Sequence, residues 1–447
     1  MRMTTVVLAV LLSGQALADT ADLTDILNAA SSADPEWAAA QRSLDADQQL
    51  ASQGRAALLP SLTASYGLTR SYRDPDGAVG ETRSTSDIAA LTLVQPLFRP
   101  DAWYSKNQGK ALSNAGEARF EQARQDFLLR VTQRYLDVLR RWEDLHTAQA
   151  EERALSRQLE QTQERFDVGL VPITDVEEAK AAYDLSRAGL ILAQADFDIS
   201  RDQLEAMTDK TWQKLAGLRE DLPMSGPEPA QPSHWMERAR SNNPQVLASR
   251  YEADSAKAAA RQRTSAQLPS VNLVGRYEVV GYSNVDGPVV AGQLSDYDGK
   301  SIGIEASMPL FAGGGLNSQR KEASYRYQAA EEVYRLVWRD VGQSAQSLAR
   351  QVQASALNVA ARKQALRSAE SALRATESGY EVGTRNVVDV LTAQRNLYAN
   401  QRDYSAARYD YIVASLQLQA TAGDLTTDDI ELINGWLSTE INVDLTE

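Results

Sequence analysis

The chain has 447 residues, of which 43% are hydrophobic, and its net charge at neutral pH is −14. We expect no nucleic-acid partner, because a polyanion would be repelled and no run of Lys and Arg offsets the acidic excess. Cysteine is absent, so neither disulfide bonds nor a cysteine-linked lipid anchor is expected. Only two histidines occur, without a nucleophile motif or spaced metal ligands, so we expect no enzyme activity, no metal site and no cofactor.

The first 18 residues predict a secretory signal peptide. Arg2 precedes an apolar run from Val6 to Leu12, and Ala16 and Ala18 form an A-x-A cleavage pattern. No later segment has 18 or more consecutive apolar residues, so no transmembrane helix is predicted. The exported chain is therefore expected to be soluble, at the cell surface, or held in a membrane by strands.

The rest of the sequence has the pattern of a tandem duplication. Pro35 corresponds to Pro244 and Gly169 to Gly383, at a nearly constant offset of about 209 to 214 positions. The stretch LPMSGPEPAQP between the halves is Pro-rich and typical of a linker. The expected divisions are a signal peptide (1–18), a first repeat (19–222), a linker (223–232), a second repeat (233–425) and a C-terminal segment (426–447).

Each half predicts a helix, two strands, a long helix, a corner and a further helix. Apolar and polar residues alternate in LTASYGLTRSY (62–72) and in SIGIEASMP (301–309). This alternation predicts strands with one apolar and one polar face, with Arg276 and Glu305 on the polar face. The neighbouring segments IAALTLVQPLF and VNLVGRYEVV complete one hairpin per half. We therefore expect four strands per chain.

Two helices of unusual length are predicted, from Pro100 to Phe166 and from Leu316 to Tyr380. About 65 helical residues would span roughly 100 Å, which is more than an ordinary globular domain needs. The spacing of apolar residues in the first of them is typical of a coiled-coil seam. The seam residues are Leu128, Val131, Tyr135, Val138, Trp142 and Leu145.

Both long helices end in related corners, RFDVGLVPITDV (165–176) and GYEVGTRNVVDV (379–390). Gly169 and Gly383 occupy the position where a helix C-cap favours a left-handed residue. A helix–turn–helix connection is therefore expected at each corner.

The helix starts after the corners carry capping signals. Thr174 is expected to be an N-cap with Glu177 completing a capping box, and Asn386 an N-cap with Asp389 at the third helical position. Acids at these positions favour the positive end of the helix dipole, which accounts for Asp175 and Asp389. In the alternative interpretation, the two acids face a lumen or bond across the two corners.

Strands with an exposed apolar face constrain the assembly. In lipid every backbone polar group must be satisfied, so an open sheet edge cannot lie in a bilayer. Membrane barrels begin at about 8 strands, a number that two copies of this chain would supply, whereas three copies would supply about 12. The sequence thus predicts a homo-oligomer that shares one barrel, if the strands lie in a membrane. The alternative is a soluble sheet that covers part of the helical bundle.

Together these features resemble the TolC family of outer-membrane channel proteins. The matching motifs are LLPSL and QLPSV, QPLF and MPLFAGGGLNSQ, and the two corners, so the resemblance covers nearly all of the mature chain. It implies an α+β fold in which a trimer shares a 12-stranded transmembrane β-barrel and a long antiparallel α-helical barrel crosses the periplasm.

The same resemblance implies an export duct for small molecules or proteins in the outer membrane. Such a duct works with a periplasmic adaptor and an inner-membrane transporter and carries out no catalysis. The sequence does not identify the cargo. The alternative is a periplasmic coiled-coil adaptor or structural protein without a membrane span.

The resemblance also places both corners at the periplasmic tip, where they close the pore. Tyr380 and Arg385 are expected to reach Thr174 and Asp175, and Asp389 is expected to form a ring of carboxylates in the constriction. One helical turn later the family member compared has a second Asp, whereas this chain has Thr392, which weakens the expected attraction of the ring for cations. The residues that match the adaptor-docking groove are Val168, Gly169, Leu170, Val382, Gly383 and Thr384.

Overall fold

The computed structural model describes residues 20–73, 82–287 and 294–443, so the predicted signal peptide lies outside the described residues. The chain forms two compact units. The first unit contains both corners and the second contains the hairpins. The described residues of the first lie within 1–40, 123–243 and 341–447, and those of the second within 41–122 and 244–340.

One order of elements occurs twice along the chain: a helix, two strands, a long helix and a further helix. The helices are α1 (Leu23–Ala33), α2 (Pro35–Ala56), α3 (Pro100–Asp167), α4 (Ile173–Thr208), α5 (Pro232–Asn242), α6 (Pro244–Ser265), α7 (Gly315–Glu381), α8 (Val387–Ala422) and α9 (Thr427–Asn434). The strands are β1 (Ser61–Arg73), β2 (Thr82–Phe98), β3 (Lys214–Leu218), β4 (Ser270–Asp286), β5 (Tyr297–Ser307) and β6 (Leu437–Asn442). No helix within the described ranges is both long and apolar enough to cross a bilayer.

In the second unit the hairpins join in one antiparallel sheet with the order β1-β2-β4-β5. Leu62 lies opposite Leu93, and Gly275 opposite Ile302, so the predicted apolar positions share one face. That face is open: Leu62 is 64% and Ile302 78% exposed. The predicted alternation is therefore confirmed, and the apolar side has no cover within the unit.

The other face of this sheet is polar. Glu305 lies opposite Asn272 and Arg276 opposite Ser301, which places Arg276 and Glu305 on the same face, as predicted. Arg276 Nε forms an ion pair with Glu278 Oε2 at 3.0 Å. A sheet with one apolar and one charged face suits a boundary between lipid and water.

The expected total of four strands per chain is too low: the four predicted hairpin strands are present, and the first unit adds a second sheet. β3 pairs with β6 in antiparallel register, and Ala21 forms a parallel bridge with Leu215. Both strands are short, and they lie far apart in the sequence, so local alternation of apolar and polar residues does not predict them. This small sheet joins the N-terminal, central and C-terminal segments of the described chain.

The predicted seam of α3 is buried in the first unit. Leu128, Val131, Tyr135, Val138 and Leu145 are all 3% exposed or less. Trp142 is half-buried, and its indole Nε1 donates to the backbone oxygen of Asn442 at 3.0 Å. The 3-4 spacing therefore marks the face of α3 that packs in the first unit.

A buried polar network joins α3 to α8. The Tyr409 hydroxyl donates to Glu143 Oε1 at 2.6 Å, and the Ser405 hydroxyl donates to Glu143 Oε2. Burial and the neighbouring Glu143 carboxylate raise the pKa of Tyr409 well above its usual range, so its hydroxyl keeps its proton. Arg408 pairs with Glu143 at 3.8 Å and donates to the backbone oxygen of Arg219. These bonds hold α8 in register against α3, and α8 begins at the second corner.

Candidate functional site

The two corners end their long helices in the same way. Gly169 has φ +77° and Gly383 has φ +79°, so both predicted C-cap glycines adopt the left-handed conformation. At the first corner Gly169 N donates to Phe166 O at 2.8 Å and Leu170 N to Arg165 O at 2.8 Å. This pair of bonds is a Schellman motif, which satisfies carbonyls at the helix end.

The second corner repeats this motif at equivalent positions. Gly383 N donates to Tyr380 O at 3.1 Å, and Thr384 N donates to Gly379 O at 2.8 Å. The Thr384 hydroxyl adds a bond to the same carbonyl at 3.0 Å. A Cβ at Gly379 would lie 2.8 Å from Arg385 Cγ, so only glycine lets the Arg385 side chain fold back over the end of α7.

The start of α8 is capped as predicted. Asn386 is the N-cap, and its side-chain oxygen accepts from Asp389 N at 2.9 Å. Asp389 Oδ2 accepts from Asn386 N at 3.3 Å, which completes a capping box. Asp389 Oδ2 also lies 3.8 Å from Arg385 Nη1. The carboxylate of Asp389 is therefore engaged by its own helix start.

The start of α4 is not capped in this way, so the predicted capping box of Thr174 and Glu177 is wrong. α4 begins at Ile173, the N-cap position is occupied by Pro172, and no side chain caps the helix. Thr174 lies inside the first turn, where its hydroxyl is 3.5 Å from Asp175 Oδ1. Proline has no N–H, so Asp175 has no donor at the position where Asn386 supplies one to Asp389.

Packing also differs between the corners. Val387, the first residue of α8, is fully buried, whereas Ile173 at the same position of α4 is 50% exposed. Val387 belongs to a cluster that joins α3, α4 and α8, and Tyr380 of α7 packs against it. The buried members are Leu155, Ala179, Ala182, Val387 and Leu391, with Leu159, Tyr183 and Tyr380 at the edge.

The predicted gate residues meet only in part within one chain. Arg385 pairs with Asp389, and the described residues contain no ion pair between Arg385 and Asp175. The hydroxyl of Tyr380 is buried and has no hydrogen-bond partner in the described part of the chain. The predicted links of Arg385 and Tyr380 to Asp175 and Thr174 thus remain predictions.

One contact between the corners was not expected from the sequence. The guanidinium carbon of Arg165 lies 4.7 Å from the centre of the Tyr380 ring, which is a cation–π geometry. Arg165 is the repeat equivalent of Gly379, which has no side chain, so the duplication does not predict this contact. Arg165 directly precedes Phe166, which is the repeat equivalent of Tyr380. That position is the feature of the sequence that could have indicated the contact.

The predicted docking residues are solvent-exposed at both corners. Val168 and Leu170 are 71% and 73% exposed, and Val382 is 74% exposed. The two glycines have open space where a Cβ would stand. Exposed apolar side chains such as these are typical of sites where one protein contacts another.

Comparison with known proteins identifies this arrangement. A family model described as outer membrane efflux protein matches residues 26–209 and 235–424. The chain belongs to this family. It is an outer-membrane efflux protein, a transport protein with a channel fold rather than an enzyme.

Individual members of the efflux family cover nearly the whole chain. Outer membrane protein TolC of Vibrio cholerae is 34% identical over 420 residues, which are 93% of this chain and 94% of that protein. Alkaline protease secretion protein AprF of Pseudomonas aeruginosa is 29% identical over 408 residues, 90% of this chain and 84% of that protein. The crystal structure of outer membrane protein VceC of Vibrio cholerae has 20% identity and a TM-score of 0.76, and covers 90% of this chain and 96% of its own. The efflux family supports the predicted export duct over the alternative of a periplasmic adaptor.

Proposed function

We propose that three copies of this chain form one export duct, each contributing β1, β2, β4 and β5 to a shared barrel of 12 strands. The observation that carries the proposal is the four-stranded sheet with an exposed apolar face and a polar face that bears Arg276 and Glu305. An open edge is not tolerated in lipid, and four strands cannot close a barrel, so β1 and β5 need strands from neighbouring copies.

The helices then form the periplasmic part of the duct. α3 has 68 residues and α7 has 67, which corresponds to about 100 Å each. Helices of this length suit a tube that crosses a compartment. The repeated order of elements supports a division into repeats 19–222 and 233–425, with a linker at 223–232 and a C-terminal segment at 426–447.

At the tip of the duct, the corners act as a gate. Asp175 has no capping donor in its own helix start, whereas Asp389 has one. Asp175 is therefore the acid available to Arg385 of a neighbouring chain. The Tyr380 hydroxyl is unpartnered but buried, so it would reach Thr174 or Asp175 only after the corner rearranges. A single solvated Arg–carboxylate pair contributes less than about 1 kcal/mol, so the closed state depends on several pairs in a threefold ring.

The partners follow from the same surfaces. A periplasmic adaptor would dock on the exposed Val168-Gly169-Leu170 and Val382-Gly383-Thr384 turns and offset the closed bias, and an inner-membrane transporter would supply the energy. The similarity to AprF, an alkaline protease secretion protein, supports protein as one class of cargo, and the efflux family supports small molecules as another.

The test is planar-bilayer conductance of the purified full-length protein. Asp175→Ala and Arg385→Ser are each expected to increase the open probability, because each removes one partner of the predicted link. Asp184→Ala on the same helix, away from the corner, is the matched control and should behave as wild type. Conductance of both gate variants indistinguishable from wild type would rule out the gate, and recovery of the protein in the soluble periplasmic fraction would rule out the barrel.

A further inference from the structure

A groove of about 410 Å³ lies between α6 and α7 in the second unit, next to the hairpin sheet in sequence. Lys257 and Arg261 of α6 and Arg320 and Lys321 of α7 line it, and no carboxylate does. The sequence hides this cluster, because its two halves are about 60 positions apart and each contains only two cations. The remaining polar lining consists of the hydroxyl groups of Thr264, Ser324 and Tyr327.

None of the four cations forms an ion pair with an acid in the described ranges. Lys257 Nζ lies 5.9 Å from the centre of the Tyr327 ring, and Arg320 donates to the side-chain oxygen of Asn317 at 3.0 Å. Unpaired like charges along one groove repel each other, and a bound anion removes that repulsion. The chain as a whole has a net charge of −14, so a groove lined by four cations and no carboxylate is unusual in it. We therefore expect the groove to bind an anion.

A second groove between the same helices provides the contrast. Arg263 and Arg326 line it together with Glu322. Arg326 Nη2 lies 2.7 Å from Glu322 Oε1, so this groove contains its own counter-charge. The helix dipole does not explain the unpaired groove either, because cations favour the C-terminal end of a helix, whereas Arg320 and Lys321 lie in the second turn of α7.

The segments between the groove and the sheet are apolar and open to solvent. Leu268 leads from α6 to β4, and Met308, Leu310 and Phe311 lead from β5 to α7. Leu310 and Phe311 are each 89% exposed. Exposed apolar residues followed by cations are the order expected where a chain leaves the hydrocarbon layer and enters the headgroup layer.

The distance from the start of α7 to the groove cations is similar to the thickness of the lipid headgroup layer. Lys321 is six residues beyond the start of α7 at Gly315, which is about 9 Å along the helix. A headgroup layer is roughly 5 to 7 Å thick on each side of the hydrocarbon core. Long basic side chains extend along a helix toward an interface, so the groove cations reach the level of lipid phosphates.

We propose that this groove binds the phosphate-bearing headgroup of an anionic phospholipid, of the phosphatidylglycerol class, in the periplasmic leaflet of the outer membrane. The proposal rests on the membrane placement of the sheet given under Proposed function. The groove cations contact the phosphate, and the hydroxyls of Ser324 and Tyr327 serve as further donors.

The experiment is native mass spectrometry of the full-length protein in detergent, titrated with phosphatidylglycerol or with phosphatidylethanolamine. Wild type is expected to bind phosphatidylglycerol more tightly, with a preference that declines as ionic strength rises. The test variant replaces all four groove cations by Gln: Lys257→Gln/Arg261→Gln/Arg320→Gln/Lys321→Gln. It is expected to weaken phosphatidylglycerol binding by about tenfold or more, because each basic residue adds to the electrostatic attraction for an anionic headgroup. The matched control Arg263→Gln/Arg326→Gln, in the neighbouring groove, is expected to keep wild-type binding.

Three results would overturn the assignment: equal binding of the two lipids by wild type, no loss in the fourfold variant, or an equal loss in the control. Full displacement of the lipid by millimolar inorganic phosphate would show a free-anion site instead. Bilayer conductance is measured on the same preparations. Normal conductance without lipid preference rejects this inference alone, whereas absence of any channel from wild type rejects the proposed function as well.

Discussion

The two corners share a backbone and differ in what stabilises them. Each ends a long helix with a left-handed glycine and the same pair of backbone bonds. After the turn, α8 starts with a side-chain cap and a buried Val387, whereas α4 starts with Pro172 and a half-exposed Ile173. Duplication has thus conserved the turn and allowed the helix starts to diverge.

The two equivalent acids, Asp175 and Asp389, therefore make different contacts. Asp389 accepts from Asn386 N and lies near Arg385, so its charge is held within one helix start. Asp175 has no such donor, because Pro172 lacks an N–H. Because α4 has no side-chain cap, the Asp175 carboxylate is available for contacts outside its own helix.

The largest effect that separates the corners is expected from the first apolar residue of each helix. Val387→Ala removes two buried methyl groups from the cluster of α3, α4 and α8 and should cost about 2 kcal/mol. Ile173→Ala at the matched position should cost below about 0.5 kcal/mol, because the side chain is half-exposed. Apparent Tm values at one scan rate measure both, and equal losses would contradict the asymmetric packing.

The next effect concerns charge in the expected constriction. Thr392 is exposed one turn after Asp389, and Thr392→Asp would double the carboxylates of the predicted ring. We expect multivalent cations to block the channel at concentrations lower by roughly tenfold, since closely spaced like charges attract a cation jointly. Bilayer recordings with a trivalent cation measure this, with Thr392→Asn as the neutral control. Unchanged block would place Asp389 outside the constriction.

A smaller effect is expected from the cap itself. Asn386→Ala removes the N-cap acceptor of α8 and should cost about 1 kcal/mol locally. The first-turn amides of α8 should then exchange about fivefold faster by hydrogen–deuterium exchange. Pro172→Ala, the change at the matched position of α4, removes no side-chain cap and supplies a backbone N–H toward Asp175, so exchange in the first turn of α4 should not become faster.

The smallest effect tests the two acids directly. Asp389→Ala removes one bond of the capping box and should cost about 0.5 kcal/mol, seen as roughly twofold faster exchange at the start of α8. Asp175→Ala should change exchange at the start of α4 less, while it alters the open probability of the channel. If Asp175→Ala instead frays α4 as strongly as Asp389→Ala frays α8, then Asp175 serves its own helix.

Local signals in the sequence were sufficient for much of this fold. Gly169 and Gly383 were predicted at the C-caps because only glycine adopts the left-handed conformation without strain, and both positions are confirmed. The strand faces and the seam of α3 followed from periodicity. These features depend on residues that are neighbours along the chain.

The remaining features depend on distant parts of the chain. Thr174 carries a favourable capping side chain, but the N-cap of α4 is Pro172, two positions earlier, so the capping rule selected the wrong position. Nothing local distinguishes Val387 from Ile173, because burial is decided by the helices packed around each corner. For the same reason the cation–π contact of Arg165 with Tyr380 was not predicted.

The small sheet of β3 and β6 has a consequence for how the chain matures. Thr20 donates to Glu440 across 420 positions at 2.9 Å, and Lys214 pairs with Glu440 at 2.7 Å. Strand β3 therefore lacks its antiparallel partner β6 until the residues up to Asn442 have been delivered. Such long loop closures come late in folding. A chain cut short before Leu437 would carry both corners and both hairpins and still lack β6, the strand that pairs with β3 in the small sheet.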